Sequence, residues 1–196
     1  NPTATCQDIT VFLNGSGSIE IEPSDIDGGS SDPCSAVTLS SNDTLYGCAD
    51  LGGNTALLTV TDGSGNSATC NATVTVADTV SPNAVCQAHT VQLDGGGNGS
   101  LVAADVDGGS NDNCSIGSLS ATPTAFTCAN IGANNVTLTA TDGSGNTDNC
   151  VAAVTVESNV APNASCQNYT LQLDGRGNGS ITTGDVDGGS GGSCGV

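Results

Sequence analysis

Apolar and polar residues alternate with a period of two through most of this chain. Ala68, Cys70, Ala72, Val74 and Val76 fall on one side of an extended segment, with Thr69, Asn71, Thr73 and Thr75 on the other. Cys150, Ala152, Val154 and Val156 copy that pattern further on. Just ahead of these segments, Ala56, Leu58 and Val60 alternate in the same way, as do Val136, Leu138 and Ala140. Ile9, Val11 and Leu13, then Ile19 and Ile21, then Val37 and Leu39 mark shorter stretches near the start. Side chains that alternate sides, abundant Thr and Val, and Gly/Asn/Asp breaks at intervals of about 8–12 residues predict short strands in an all-β sandwich. No stretch combines a helical period with capping residues. Thr61-Asp62-Gly63-Ser64-Gly65-Asn66 and its copy at 141–146 join the last two strands of each set. Asp-Gly and Gly-Asn supply the positive φ and the side-chain-to-backbone bonds that a tight hairpin needs.

The pattern recurs with a step of 80 residues, and every cysteine keeps that step. Cys6, Cys86 and Cys166 form one series, Cys34, Cys114 and Cys194 a second, Cys48 and Cys128 a third, and Cys70 and Cys150 a fourth. Pro2, Pro82 and Pro162 follow it too. Fixed-step self-similarity is the mark of a modular array. The expected organisation is one repeat at 1–80, a second at 81–160, and the N-terminal part of a third at 161–196. The sequence reads as a window on a longer array, in which the third repeat would need about 44 further residues to complete its period. Modules of this size bury little surface and are marginal without cross-links. An even number of regularly recurring cysteines in such modules predicts disulfides and an extracellular or cell-surface location. Zinc is disfavoured, because there is no Cys-x-x-Cys pair and the single histidine, His89, has no counterpart at positions 9 or 169.

Phe126, Gly132, the strand Val136-Thr137-Leu138-Thr139-Ala140-Thr141-Asp142, the Gly145-Asn146 turn and Cys150 resemble the C-terminal half of the hyalin repeat (HYR) domain. Pro82 and Cys86 match its N-terminal half. The first repeat departs where Leu45-Tyr46-Gly47-Cys48 stands in place of Ala125-Phe126-Thr127-Cys128, and the middle cysteines are extra to the simplest family pattern. The resemblance implies tandem immunoglobulin-like extracellular modules, used for adhesion or as spacers, without catalysis. Four cysteines per module allow three pairings, which the sequence alone leaves open. The resemblance implies Cys6 with Cys70 and, with it, Cys34 with Cys48; in the second repeat, Cys86 with Cys150 and Cys114 with Cys128. The long bridge would carry tension past each module, leaving linkers such as 77–83 as the parts that stretch.

Charge narrows the partners. Twenty acidic residues stand against one basic residue, Arg176, for a net charge of −19. That excess excludes nucleic acid and anionic membrane surfaces as partners of this segment and favours cations. Asp25, Asp27 and Asp32 crowd a Gly-containing loop; Asp105, Asp107 and Asp112 repeat it, and Asp185 and Asp187 begin it again, with Gly192 in the third place. Hard oxygen ligands of this kind suit Ca2+, although the spacing is not that of an EF-hand. The competing reading is a polar turn whose Asp side chains bond their own backbone. Asn-x-Ser/Thr sequons are dense, and Asn14, Asn98 and Asn178, on exposed turns, are the candidates for covalently attached glycans. A unique histidine without a periodic copy gives no nucleophile–base arrangement, so no enzyme is expected. The leading expectation is a structural subunit of an extracellular fibre or stalk whose partners are other copies of the repeat or the chain. The alternative is an adhesin or spacer module binding glycan or protein.

Overall fold

The computed structural model describes residues 1–192 and 194. The chain divides into two compact units. The first takes in residues 1–84, 110–119 and 139–149, and the second 85–109, 120–138 and 150–196. Unit boundaries therefore differ from repeat boundaries, because the first unit recruits two segments of the second repeat.

The first repeat is an immunoglobulin-like β-sandwich. Its strands are β1 (Ile9–Phe12), β2 (Ser18–Glu20), β3 (Val37–Ser41), β4 (Leu45–Gly47), β5 (Gly52–Asp62) and β6 (Ser67–Ala77). One sheet has the order β1-β6-β5-β3 and the other pairs β2 with β4. β1 lies parallel to β6, with Ile9 opposite Val74, while β5 pairs antiparallel with both β6 and β3. The alternation read from sequence becomes the core. Ala56, Leu58 and Val60 of β5 and Ala72, Val74 and Val76 of β6 are buried, and Leu13, Ile21, Ile26 and Tyr46 close over them. Polar residues between them face solvent, as expected when one sheet face is buried.

The second repeat follows the same order with β7 (His89–Gln92), β8 (Asn98–Ser100), β9 (Ile116–Thr122), β10 (Ala125–Thr127), β11 (Gly132–Asp142) and β12 (Thr147–Glu157). Two single helical turns, α1 (Ala103–Val106) and α2 (Thr183–Val186), interrupt the β pattern. Each begins where an Asp carboxylate accepts a backbone amide three residues back: Asp105 from Val102 at 2.7 Å and Asp185 from Thr182 at 2.8 Å. The turns are too short to show a helical period in sequence.

Residues 161–192 trace the path of a repeat's first third without its strands. In complete repeats the first strand is held only by the last, which arrives about 64 residues later. Leu171, Leu173 and Ile181 are exposed, whereas Val91, Leu93 and Leu101 at the same positions one repeat earlier are buried.

Two disulfides match expectation: Cys6–Cys70 and Cys86–Cys150. The other two correct it. Cys48 bonds Cys114 and Cys128 bonds Cys194, so Cys34 does not pair with Cys48, nor Cys114 with Cys128. The reason is the length of β5. Cys34 lies beside the Asp62–Asn66 hairpin, where the neighbouring Ser35 hydroxyl accepts the Gly63 amide at 3.1 Å. Cys48 opens the 3-10 turn that leads into the far end of β5. An eleven-residue strand spans roughly 35 Å, and a disulfide requires Cα atoms within about 7 Å. Cys34 and Cys166 are unpaired and exposed.

Candidate metal centre

A five-residue loop, Asp/Asn-Gly-x-Gly-x, appears at Asn14, Asp62, Asp94, Asp142 and Asp174 with one geometry. The first side chain turns Oδ1 inward to accept the amides of the third and fifth residues; at Asp142 these are Ser144 at 2.9 Å and Asn146 at 2.8 Å. The fourth residue is a glycine with positive φ, +91° at Gly145. The same bonds hold Asn14, Asp62, Asp94 and Asp174. These loops are turn chemistry, and among their first residues Asp142 alone also joins a group of three carboxylates.

Within the first unit, Asp142 meets Asp78 and Asp112. One carboxylate oxygen from each lies within 4.8 Å of the others, the sole such group of three among the described residues. Asp78 sits just past the end of β6, Asp112 just ahead of β9, and Asp142 at the end of β11. Asp78 is 7% exposed and Asp142 5%. Asp142 accepts at both oxygens, Oδ2 from Asn146 Nδ2 at 2.8 Å, while the other two carboxylates divide their labour. Asp78 Oδ1 accepts from Val80 N at 3.0 Å and Asn113 Nδ2 at 3.2 Å, leaving Oδ2 buried with no partner. Asp112 Oδ2 accepts the amides of Cys114 and Ser115, leaving Oδ1 buried with no partner. Asn113 Oδ1, on the side chain that donates to Asp78, is also buried and unpartnered. Burial raises the Asp142 carboxyl pKa, but hydrogen bonds from the Asn146 side chain and the amides of Asn146, Ser144 and Gly145 outweigh it and hold the group below the usual carboxylate range.

Three carboxylates confined in this way repel. At 4.8 Å the repulsion is about 3 kcal/mol per pair for an effective dielectric near 20. The only Lys or Arg side chain in the sequence is Arg176, which lies in the second unit. Orphaned buried carboxylate oxygens are costly, and a hard cation satisfies all of them together.

The carboxylates expected as ligands from sequence are placed differently. Asp25 Oδ2 accepts from Glu22 N at 2.8 Å, Asp27 Oδ1 from Ser30 N at 2.8 Å, and Asp32 Oδ1 from Cys34 N at 2.9 Å. Asp105 and Asp185 cap the helical turns described above, while Asp107 and Asp187 accept from Gly109 and Gly189. Only Asp112 of that set belongs to the group of three. Sequence reasoning missed Asp78 and Asp142, which come from a linker and a hairpin far from the acidic loops. The available signal was substitution one repeat later, where Ser158 of the second repeat and Gly192 of the third stand at the positions of Asp78 and Asp112.

The staple lies beside this centre. Cys48 Sγ approaches the carbonyl oxygens of Gly17 and Asn113, each at 3.6 Å. A Cβ at Gly17 would come within 2.6 Å of the Asn113 carbonyl and 2.8 Å of Cys48 Sγ, so glycine is required there for space as well as for its φ of +71°. Among the sequon candidates, Asn14, Asn98 and Asn178 are all exposed. Asn98 and Asn178 share one repeat position, whereas the counterpart of Asn14 is Asp94, so Asn14 is a turn former of the hairpin type.

Among the described residues no helix is long and apolar enough to cross a membrane. No known protein family matches the sequence. No curated protein matches it either. Solved structures similar in shape include EC1-2 of human mucin-like protocadherin, at 13% identity and a TM-score of 0.43, covering 81% of this chain and 98% of that one. Mouse cadherin-23 EC22-24 gives 9% and 0.41, covering 87% and 70%. Protocadherin gammaB7 EC3-6 gives 16% and 0.40, covering 86% of this chain and 54% of that one, so the chain spans about half its length. With every one of these TM-scores below 0.5, the likenesses carry no inference about what the chain binds or does.

Proposed function

We propose that this chain is a load-bearing structural segment of an extracellular fibre or stalk, built from HYR-like repeats that are covalently stapled to one another. The observation that carries this reading is the overlap of the disulfide loops. They close residues 6–70, 48–114, 86–150 and 128–194. Each loop begins before the previous one ends, so every peptide bond from Cys6 to Cys194 lies inside at least one loop. Two covalent tracks result. One runs Cys6–Cys70, then backbone to Cys86–Cys150; the other runs Cys48–Cys114, then backbone to Cys128–Cys194. A bridge confined to one module would leave the linkers to bear tension alone. Here the linker between Cys70 and Cys86 is enclosed by the Cys48–Cys114 bridge. Cys34 and Cys166 hold the repeat positions whose counterparts are bonded, and in this reading they extend the two tracks to neighbouring copies of the repeat.

The adhesin reading is weaker. A sugar-binding face uses exposed aromatic rings, but Tyr46 and Phe126 are buried in the cores. Only Phe12 and Tyr169 are exposed, and they occupy different repeat positions. An extracellular setting would also supply calcium for the clustered carboxylates and sugar for sequons such as Asn98 and Asn178.

Single-molecule pulling tests the load-bearing role. The shorter track leaves 14 residues per repeat free between bridges, from Cys114 to Cys128, or about 50 Å at full stretch. Oxidised chains should stop near that limit, and reduced chains should release the whole repeat. Equal extension in both states would refute the proposal.

A further inference from the structure

We infer that Asp78, Asp112, Asp142 and Asn113 form a site for one hard divalent cation, of the Ca2+ class, and that this site belongs to the first repeat-to-repeat joint and not to the second. The inference does not rest on the load-bearing reading. Three features carry it. First, three carboxylates converge within 4.8 Å, two of them more than nine-tenths buried. Second, Asp78 Oδ2, Asp112 Oδ1 and Asn113 Oδ1 are buried oxygens with no hydrogen-bond partner, although Asp78 Oδ1 and Asp112 Oδ2 accept from protein donors and Asn113 Nδ2 donates to Asn14 O and Asp78 Oδ1. Protein donors have thus fixed Asp78 and Asp112 and left one oxygen of each available, while Asp142 Oδ2 accepts a single hydrogen bond, from Asn146 Nδ2 at 2.8 Å. The third feature is that the ligands change together. One repeat later Asp78 becomes Ser158, Asp112 becomes Gly192 and Asn113 becomes Ser193, while the stapling bridge is kept as Cys128–Cys194. Residues that merely shaped the joint would be retained with the bridge. Three oxygen ligands lost as a set are the pattern of a joint that keeps its covalent tie and gives up its cation.

The donor set selects the ion class. All the ligand atoms are oxygens, with neither imidazole nor thiolate, so zinc and other softer metals are disfavoured. Three monodentate carboxylates and an amide oxygen give four ligands, and Ca2+ fills its shell of six to eight with backbone oxygens and water at flexible angles. Mg2+ demands near-ideal octahedral geometry and sheds water reluctantly, so the site should prefer the larger ion.

Titration calorimetry of the intact oxidised chain with CaCl2 tests this, alongside MgCl2 at equal ionic strength. One Ca2+ per chain is expected, with Mg2+ at least 10-fold weaker. The double variant Asp78→Ser with Asp112→Gly, which installs the second joint's residues, should abolish binding. Asp25→Asn with Asp105→Asn should leave it unchanged. Non-reducing peptide mapping of the Cys48–Cys114 bridge reports whether the double variant has folded; if it has not, Asp142→Asn replaces it, with at least a 10-fold loss expected. Absence of Ca2+ binding up to 10-millimolar order, two or more equal sites per chain, or binding abolished by the Asp25 and Asp105 changes would each overturn the inference.

Discussion

Replacing Cys48 and Cys114 together by serine opens the staple and leaves Cys6–Cys70 in place. The loop it closes spans 66 residues. None of the other bridges shortens the covalent path between its ends, because each connects points that lie no nearer to both. The full loop is therefore released to the unfolded chain, which on the chain-entropy account costs about 4 kcal/mol. Serine at position 48 would still face the carbonyl oxygens of Gly17 and Asn113, so no new orphaned group offsets or adds to that figure. With a urea slope of about 2 kcal/mol/M for a unit of this size, the unfolding midpoint of the first unit should fall by about 2 M. Far-UV circular dichroism during urea titration of the oxidised chain measures it. Cys34→Ser is the control, since Cys34 is unpaired and exposed, and it should shift the midpoint by less than about 0.3 M. A double variant that unfolds with the control, while peptide mapping shows Cys6–Cys70 intact, would refute the view that the joint staple constrains the fold.

Two further outcomes test local features. Tyr46 is buried with its hydroxyl unpartnered, and burial together with the nearby Asp43 and Asp50 carboxylates raises its pKa; the second repeat has Phe126 there. Tyr46→Phe should therefore be neutral or stabilise by about 1 kcal/mol, and a loss of more than about 1 kcal/mol in chemical denaturation would show that the hydroxyl has a partner. Hydrogen bonds from the Asn66 side chain, and then the amides of Asn66 and Ser64, hold the Asp62 pKa below its ordinary value despite desolvation. A depressed folded-state pKa gives stability that is present above the unfolded value of about 3.9 and is lost as pH falls through the folded value. Melting temperature should hold steady from neutral pH to about 5 and decline below about 4, and Asp62→Asn should flatten the decline; an unchanged acid slope in the variant would contradict the assignment.

The sheet cores were legible because burial on one face writes itself as alternation. Leu58, Val60, Val74 and Val76 are at or near zero exposure, as their spacing implied. The Cys6–Cys70 bridge was implied by the resemblance to the hyalin repeat, and it fits a fold in which the first strand is held by the last. The Cys48–Cys114 bridge was hidden because it depends on which end of β5 each cysteine occupies, and the cysteine series repeats with the same step whichever pairing is drawn. Its separation of 66 residues, close to the 64 of Cys6–Cys70, was the one numerical hint. The acidic loops were conspicuous through local density, yet most of their carboxylates are engaged by neighbouring amides. The convergent group draws Asp78 and Asp142 from segments 64 residues apart in sequence, and a window moved along the chain does not bring them together.

The interlocked bridges make one further demand: a chain cut once in a linker must remain a single molecule. The sequence contains no lysine, so Thr79→Lys, at an exposed linker position, creates a unique site for a lysine-specific endopeptidase. After complete cleavage, the account requires one species of about full mass on denaturing gels without reductant, and two fragments, 1–79 and 80–196, once dithiothreitol is added. Separation of the two fragments before reduction would contradict the stapled joint and, with it, the covalent continuity proposed for the chain.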